Sequence, residues 1–146
     1  MELTIYAAIA TTACLALTAC GPGEDVDSDR LEGETAVWNM AEGQDLTSSS
    51  TEFTAVVSRL ACNGGVTGEV FPPQIRMTGH EVVVTFSVAP KRPGAATCQG
   101  NDWVPYKVTL DEPLGDRALS DGACQANSGG AATTSFCLPS GTRFEP

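Results

Sequence analysis

Apolar residues recur at every second position in several short segments of the chain, which is the pattern of β-strands with one buried face. The clearest segment is EVVVTFSVA, residues 81–89, in which alternate residues from Val82 to Val88 share one face. Residues 103–110 alternate in the same way. Because proline cannot donate to a strand ladder, Pro105 within this segment favours an edge strand or a bulge.

Further strand-like segments are separated by turns rich in Gly, Pro and Asn. Asn-Gly-Gly at 63–65 is a strong turn sequence and predicts a hairpin between the strands on either side of it. This spacing of strands predicts an all-β fold, and we expect an immunoglobulin-like β-sandwich of seven or eight strands over residues 35–146, with no helix. The predicted strands are 35–40, 52–62, 66–71, 74–78, 81–89, 103–110, a short one near 117–119, and 133–138.

The first 19 residues differ from the rest of the chain. Leu3 to Ala19 contains no charged residue and is rich in Ala, Leu and Thr. An apolar N-terminal stretch that ends in small residues is typical of an export signal, and this one is marginal as a membrane span, which needs about 20 strongly apolar residues. The region before it contains Glu2 and no Lys or Arg, which departs from the usual positive charge. We expect residues 1–19 to be a signal peptide.

Leu17, Thr18, Ala19 and Cys20 end this segment. They resemble the lipobox of bacterial lipoproteins, which runs Leu, small, small, Cys. The resemblance covers residues 1–20 and implies that the Cys20 sulfur receives a diacylglyceryl group and that the chain is cut before Cys20. Two acyl chains give stable anchoring, so the resemblance implies a protein held on the extracytoplasmic face of the cell membrane. An ordinary signal peptide, with Cys20 unmodified, is the alternative.

The number of cysteines agrees with a lipid on Cys20. Of the six cysteines, Cys14 lies in the predicted signal and Cys20 would carry the lipid, which leaves an even number in the domain. An even number in an exported domain predicts disulfides, and no pair has the close spacing of a zinc site. We favour Cys62–Cys98 and Cys124–Cys137, because residues 128–130 can reverse the chain between the last two; the crossed pairings stay open.

An acidic segment joins Cys20 to the domain. Residues 21–34 contain six acids and one Arg and have little to bury, so we expect residues 20–34 to be a flexible tether that spans about 20 Å as a coil. The D-x-D-x-D of residues 25–29 begins like a calcium-binding loop. Arg30 and Ala36 occupy the positions that require Gly and Glu, so no calcium site is expected.

The net charge of −10, from 18 acidic and 8 basic residues, disfavours nucleic-acid binding. His80 is the single histidine, no G-x-S-x-G is present, and the spacing of the carboxylates selects no pair, so no catalytic residue and no cofactor is predicted. Trp38, Trp103 and Tyr106 are candidates for a platform that binds a sugar or a peptide. The alternative is that these aromatic residues belong to the core.

The segment from Cys98 to Cys124, CQGNDWVPYKVTLDEPLGDRALSDGAC, is similar to one in small exported and lipid-anchored proteins of high-GC Gram-positive bacteria, a group with no assigned activity. The resemblance covers the C-terminal half of the domain and implies a shared fold more than a shared function. We expect a membrane-anchored module that binds an envelope protein or a glycan. A small cell-wall-acting hydrolase or accessory, and a protease-inhibitor-like domain that uses the loop 89–102, are the alternatives.

Overall fold

The structure, a computed structural model, describes residues 33–91, 94, 96–125 and 131–146. The predicted signal peptide, the tether up to residue 32 and the predicted reversal at 128–130 lie outside the described residues. No helix within the described residues is long and apolar enough to cross a membrane. The strands are β1 Glu34–Met40, β2 Glu52–Arg59, β3 Gln74–Met77, β4 Glu81–Thr85, β5 Ser87–Val88, β6 Val104–Thr109, β7 Ala118–Asp121 and β8 Thr142–Phe144, and the short 3-10 helices are η1 Gly122–Cys124, η2 Ala131–Thr133 and η3 Ser135–Cys137.

The strands form two four-stranded sheets. The first sheet has the order β5-β1-β2-β6 with antiparallel neighbours, and the second has the order β3-β4-β7-β8, in which β4 and β7 are parallel. The predicted all-β sandwich is therefore confirmed. Its immunoglobulin-like character is not, since that fold consists of two antiparallel sheets and the β4–β7 pair is parallel.

The predicted strand with the clearest alternation, 81–89, is divided between the two sheets. Residues 81–85 pair with β3 and β7, whereas Ser87 and Val88 pair with the start of β1. Phe86 lies at the crossing, fully buried, and its carbonyl oxygen accepts a hydrogen bond from the Ala36 N–H at 3.4 Å. One uninterrupted apolar alternation therefore supplies both sheets.

The inward faces of the sheets form one core around Trp38. This side chain is 0% exposed, and its ring lies 5.4 Å from Phe53 and 6.3 Å, edge to face, from Phe86. Its Nε1–H donates to the Val84 carbonyl oxygen at 2.9 Å, so the polar end of the indole is satisfied within the core. Other buried members of this core are Ala36, Ala55, Val57, Val82, Val88, Val108, Leu110, Leu114 and Leu119.

The predicted strand 66–71 is wrong. Only Val70 forms a bridge in this region, to Val88, and the rest of the segment is a loop. The buried Thr67 explains the difference, because its N–H donates to the side chain of Asp102 at 2.5 Å and its carbonyl oxygen accepts from Arg59 Nε at 3.1 Å. Side chains therefore form the hydrogen bonds with the Thr67 N–H and carbonyl oxygen that a neighbouring strand would otherwise form.

The predicted strand 133–138 is also wrong. The described part of this region forms η2 and η3, which pack as a cover over the outward side of β1. The last strand is instead β8, a three-residue segment that the sequence analysis missed. The apolar residues of 133–138 therefore serve a second, smaller core and not a sheet face.

Candidate functional site

A groove of about 670 Å³ lies on the outward face of the first sheet, near the end where β1 begins. Trp103 directly precedes β6, whose first residue Val104 pairs with Val57. Since side chains alternate along a strand, Trp103 points away from the core and lies beside Ser58 of β2. The groove is lined by Ser58, Arg59, Leu60, Cys62, Gly65, Cys98, Gln99, Gly100, Asn101, Asp102, Trp103 and Phe136.

Phe136 contacts Trp103 at the edge of the groove, with ring centroids 6.0 Å apart in an edge-to-face arrangement. The 3-10 segment positions Phe136 because it is fixed to the outward side of β1. Val37 is fully buried beneath Ala123, Ala131 and Cys137, which form a second apolar cluster. Both rings are more than a third exposed, so an aromatic pair is left open to a ligand on a supported surface.

A disulfide and an asparagine line the part of the groove that is formed by the chain after β2 and the loop before β6. Cys62 and Cys98 are bonded, which ties the chain after β2 to the loop before β6. Asn101 Nδ2 donates to the carbonyl oxygens of Arg59 and Ala61, both at 2.9 Å. Its Oδ1 is buried and has no hydrogen-bond partner among the described residues. A buried acceptor without a partner is uncommon, and here it lies among the residues that line the groove.

The buried Arg59 side chain stabilises the end of the sandwich where β1 begins, next to the groove. It is 3% exposed, pairs with the Glu34 carboxylate at the start of β1, and donates to the carbonyl oxygens of Thr67 and Ala89. Asp102 is the one carboxylate among the described lining residues, and it accepts the Thr67 N–H. The groove therefore has a rigid base, and its carboxylate already has a structural partner.

A second buried ion pair, between Asp121 of β7 and Arg143 of β8, connects these strands to β1. Asp121 is 0% exposed and accepts hydrogen bonds from the Trp38 N–H and the Ala123 N–H, both at 2.9 Å, and from Arg143 at 3.1 Å. Arg143 also donates to the carbonyl oxygens of Trp38 and Phe136. Burial raises the pKa of Asp121, and these bonds and the Arg143 charge offset part of the rise. Arg143 thereby links the core strand to the backbone of Phe136.

The predicted aromatic platform is corrected by these positions. Trp38 is a core residue with no surface exposure, and Tyr106 points inward, edge-on to Phe86 at 5.3 Å. Trp103 is at the surface as expected, but its aromatic neighbour is Phe136. Phe136 is not among the predicted site residues, because residues 133–138 have a strand-like pattern.

The structure pairs the cysteines as favoured above, Cys62 with Cys98 and Cys124 with Cys137. The predicted disulfide bonds are thus present, while Cys20 lies outside the described residues. The Cys62–Cys98 disulfide lines the groove, and the Cys124–Cys137 disulfide fixes η3, which carries Phe136.

The remaining chemical candidates lie apart from the groove. His80 is exposed in the turn before β4, at the other end of the sandwich. Across the described stretches of the chain, no three His, Cys, Asp or Glu side chains are grouped closely enough to hold a metal ion. The described lining residues of the groove contribute aromatic surface, amide side chains and main-chain groups, which are the kinds of group that bind ligands.

Comparison with known proteins gives no match to a family model, a curated protein or a solved structure.

Proposed function

We propose that this protein is a membrane-anchored extracytoplasmic lipoprotein whose domain is a binding module, and that the groove lined by Trp103 and Phe136 is its contact surface. The observation that carries the binding assignment is the exposed aromatic pair on a disulfide-tied base. The lipid anchor rests on the lipobox-like residues that end at Cys20.

The chemistry of the groove favours binding over catalysis. Trp is enriched at binding hot spots because it combines a large apolar area with a polar N–H. The amide side chains of Gln99 and Asn101 lie in the same groove and are held in place by donating to main-chain carbonyl oxygens. Asp102 is committed to Thr67, so no described lining residue is placed as a general acid with a second carboxylate opposite.

The two disulfides support an oxidising, extracytoplasmic location. Disulfides persist in exported proteins and are rare in the reducing cytosol. This agrees with the export signal expected at residues 1–19 and with the placement of the groove outside the cell membrane.

The contact surface is tested by hydroxyl-radical footprinting of the protein in isolated cell envelopes and after purification in detergent. We expect Trp103 and Phe136 to be oxidised several-fold more slowly in the envelope, because a partner covers them there. His80 is the internal control, since it is exposed at the opposite end and its oxidation should not change.

A matched variant makes this test specific. Phe136→Ser removes half of the aromatic pair while the ring of Trp103 remains, so the protection of Trp103 should be lost. Equal oxidation of Trp103 in envelopes and in detergent would contradict the groove as the contact surface.

A further inference from the structure

The large exposed hydrophobic side chains of the described residues are not scattered over the surface. Trp103 (41% exposed) and Phe136 (39%) are in contact, and Leu138 (64%) follows two residues after Phe136. Val66 (53%) lies in the loop after β2, where the neighbouring Gly65 accepts a hydrogen bond from the Asp102 N–H. An exposed apolar group of this kind marks an interaction surface.

The chain enters the described domain close to the same groove. Gly33 precedes β1, and Glu34 pairs with Val88 across the first sheet. Leu60 lines both the groove and the small pocket that contains Gly33 and Lys91. The predicted tether from Cys20 therefore joins the domain at the end that carries the exposed hydrophobic side chains, which we call the tether end.

The acidic side chains are concentrated at the end of the sandwich opposite the exposed hydrophobic side chains. The described carboxylates of the tether end are Glu34, Glu69 and Asp102, and they are nearly balanced by Arg59 and Lys91. The other end, formed by the loops 41–51 and 110–117 with the start of β4 and the chain after β8, is strongly acidic. Its described carboxylates are Glu42, Asp45, Glu52, Glu81, Asp111, Glu112, Asp116 and Glu145, against Lys107 and Arg117.

We infer that the tether end seats on the lipid bilayer, with Trp103 and Phe136 in the headgroup region, as a second hold beside the lipid on Cys20. This inference rests on the proposed function, because the anchor brings the domain to the bilayer. Trp residues concentrate at membrane–water interfaces, where the apolar ring and the polar N–H are both satisfied.

The bilayer fits this surface better than a distant soluble partner does. A coil of the tether's length spans about 20 Å, so it holds the groove end near the lipid. Anionic lipid repels the acidic end, which orients that end outward. Because the anchor keeps the domain at a high effective concentration over the surface, a weak contact by four side chains is enough to populate the seated state.

The chain contains two tryptophans, which makes the orientation measurable. The mature protein, which begins at the lipidated Cys20, is reconstituted into phosphatidylcholine vesicles whose acyl chains carry bromine, a contact quencher of indole fluorescence. We expect loss of most of the Trp103 emission. Trp103→Phe retains only the buried Trp38, whose emission should be unchanged by the brominated lipid.

A tryptophan at the opposite end of the same strand is the matched control. Thr109 is exposed on the same face of β6 as Trp103, six residues further along. At about 3.4 Å per residue this places it about 20 Å away. In the Trp103→Phe background, Thr109→Trp should give emission that the brominated lipid does not quench.

The outcomes separate this inference from the proposed function. Quenching of Trp103 but not of the tryptophan at 109 supports the seated orientation. Unquenched Trp103 in a chain with the lipid attached overturns the inference, and envelope protection of Trp103 would then point to a protein or glycan partner. Equal quenching at both positions also overturns it. A chain without lipid contradicts the proposed function, and the inference fails with it.

Discussion

At the scale of single residues, Asp121 and Arg143 connect the parts that form the site. On the edge of β1 opposite β2, the paired strand β5 reaches only Glu34 and Thr35. Beside Trp38 on that edge, the Asp121 carboxylate accepts the Trp38 N–H and the Arg143 guanidinium donates to the Trp38 carbonyl oxygen. The same guanidinium binds the carbonyl oxygen of Phe136. The position of the groove's aromatic edge thus depends on a buried ion pair.

Removing the cation from this pair should be costly. Arg143→Met leaves Asp121 buried without its charged partner, and the expected loss is about 3–5 kcal/mol of unfolding free energy. Urea denaturation at neutral pH measures it. Arg76→Met is the control, because Arg76 is exposed and its guanidinium donates to the Gln125 side chain at the surface, so its loss should lie within about 0.5 kcal/mol. Equal losses for the two variants would contradict the role of the pair.

The pKa of Asp121 predicts the sign of a pH effect. Burial raises this pKa above its ordinary value of 3.8, so the folded state binds the proton more tightly than the unfolded state does. The contribution of Asp121 to stability is therefore complete below pH 3.8 and falls as the pH rises through the raised pKa. The difference in unfolding free energy between wild type and Asp121→Asn should decrease over that window. A difference that increases with pH would mean that Arg143 and the N–H donors outweigh burial.

At the scale of elements, the two disulfides and the 3-10 segments hold the residues of the groove in place, a role that strand pairing plays elsewhere in the sandwich. Cys62–Cys98 joins β2 to the approach of β6, and Cys124–Cys137 joins η1 to η3. Both aromatic residues of the groove therefore lie on irregular backbone that is fixed by a nearby covalent bond.

Removal of the first disulfide should loosen one side of the groove. We expect the double variant Cys62→Ala with Cys98→Ala to lose about 3–4 kcal/mol of unfolding free energy. Iodide should quench its Trp103 emission more strongly than in wild type, since the loop before β6 is freed. Urea denaturation and iodide titration measure these effects. Unchanged stability and unchanged quenching would show that hydrogen bonds such as those of Asn101 suffice to hold the loop.

Elements with a regular alternation could be predicted from the sequence, and elements held by side chains could not. Strands β1, β2, β3, β4 and β6 follow their apolar patterns closely. Residues 66–71 and 133–138 have strand-like composition, but Thr67 is bound by Arg59 and Asp102, and Cys137 is bonded to Cys124. These non-local contacts have no local sequence pattern, and they decide the backbone.

The site was predictable in part for the same reason. Trp103 lies on the polar face of an alternating segment, which points it outward. Tyr106 shares its face with Val108 and Leu110, and that parity already indicated burial. Phe136 could not be placed, because it reaches Trp103 through the fold of the cover.

At the scale of the whole molecule, the sandwich has two unlike ends. The tether end carries the groove and the exposed hydrophobic side chains, and the other end carries most of the described carboxylates. An anchor on Cys20 would give this polarity a direction relative to the membrane. The function proposed for the groove therefore depends on how the N-terminus is processed.

The intact mass of the protein extracted from membranes tests this most directly. We predict a chain whose first residue is Cys20 and which carries a diacylglyceryl group. Cys14→Ala should give the same mass, because Cys14 is removed with the signal peptide. A mass that corresponds to residues 20–146 without lipid, or to a chain that still contains residues 1–19, would contradict the account.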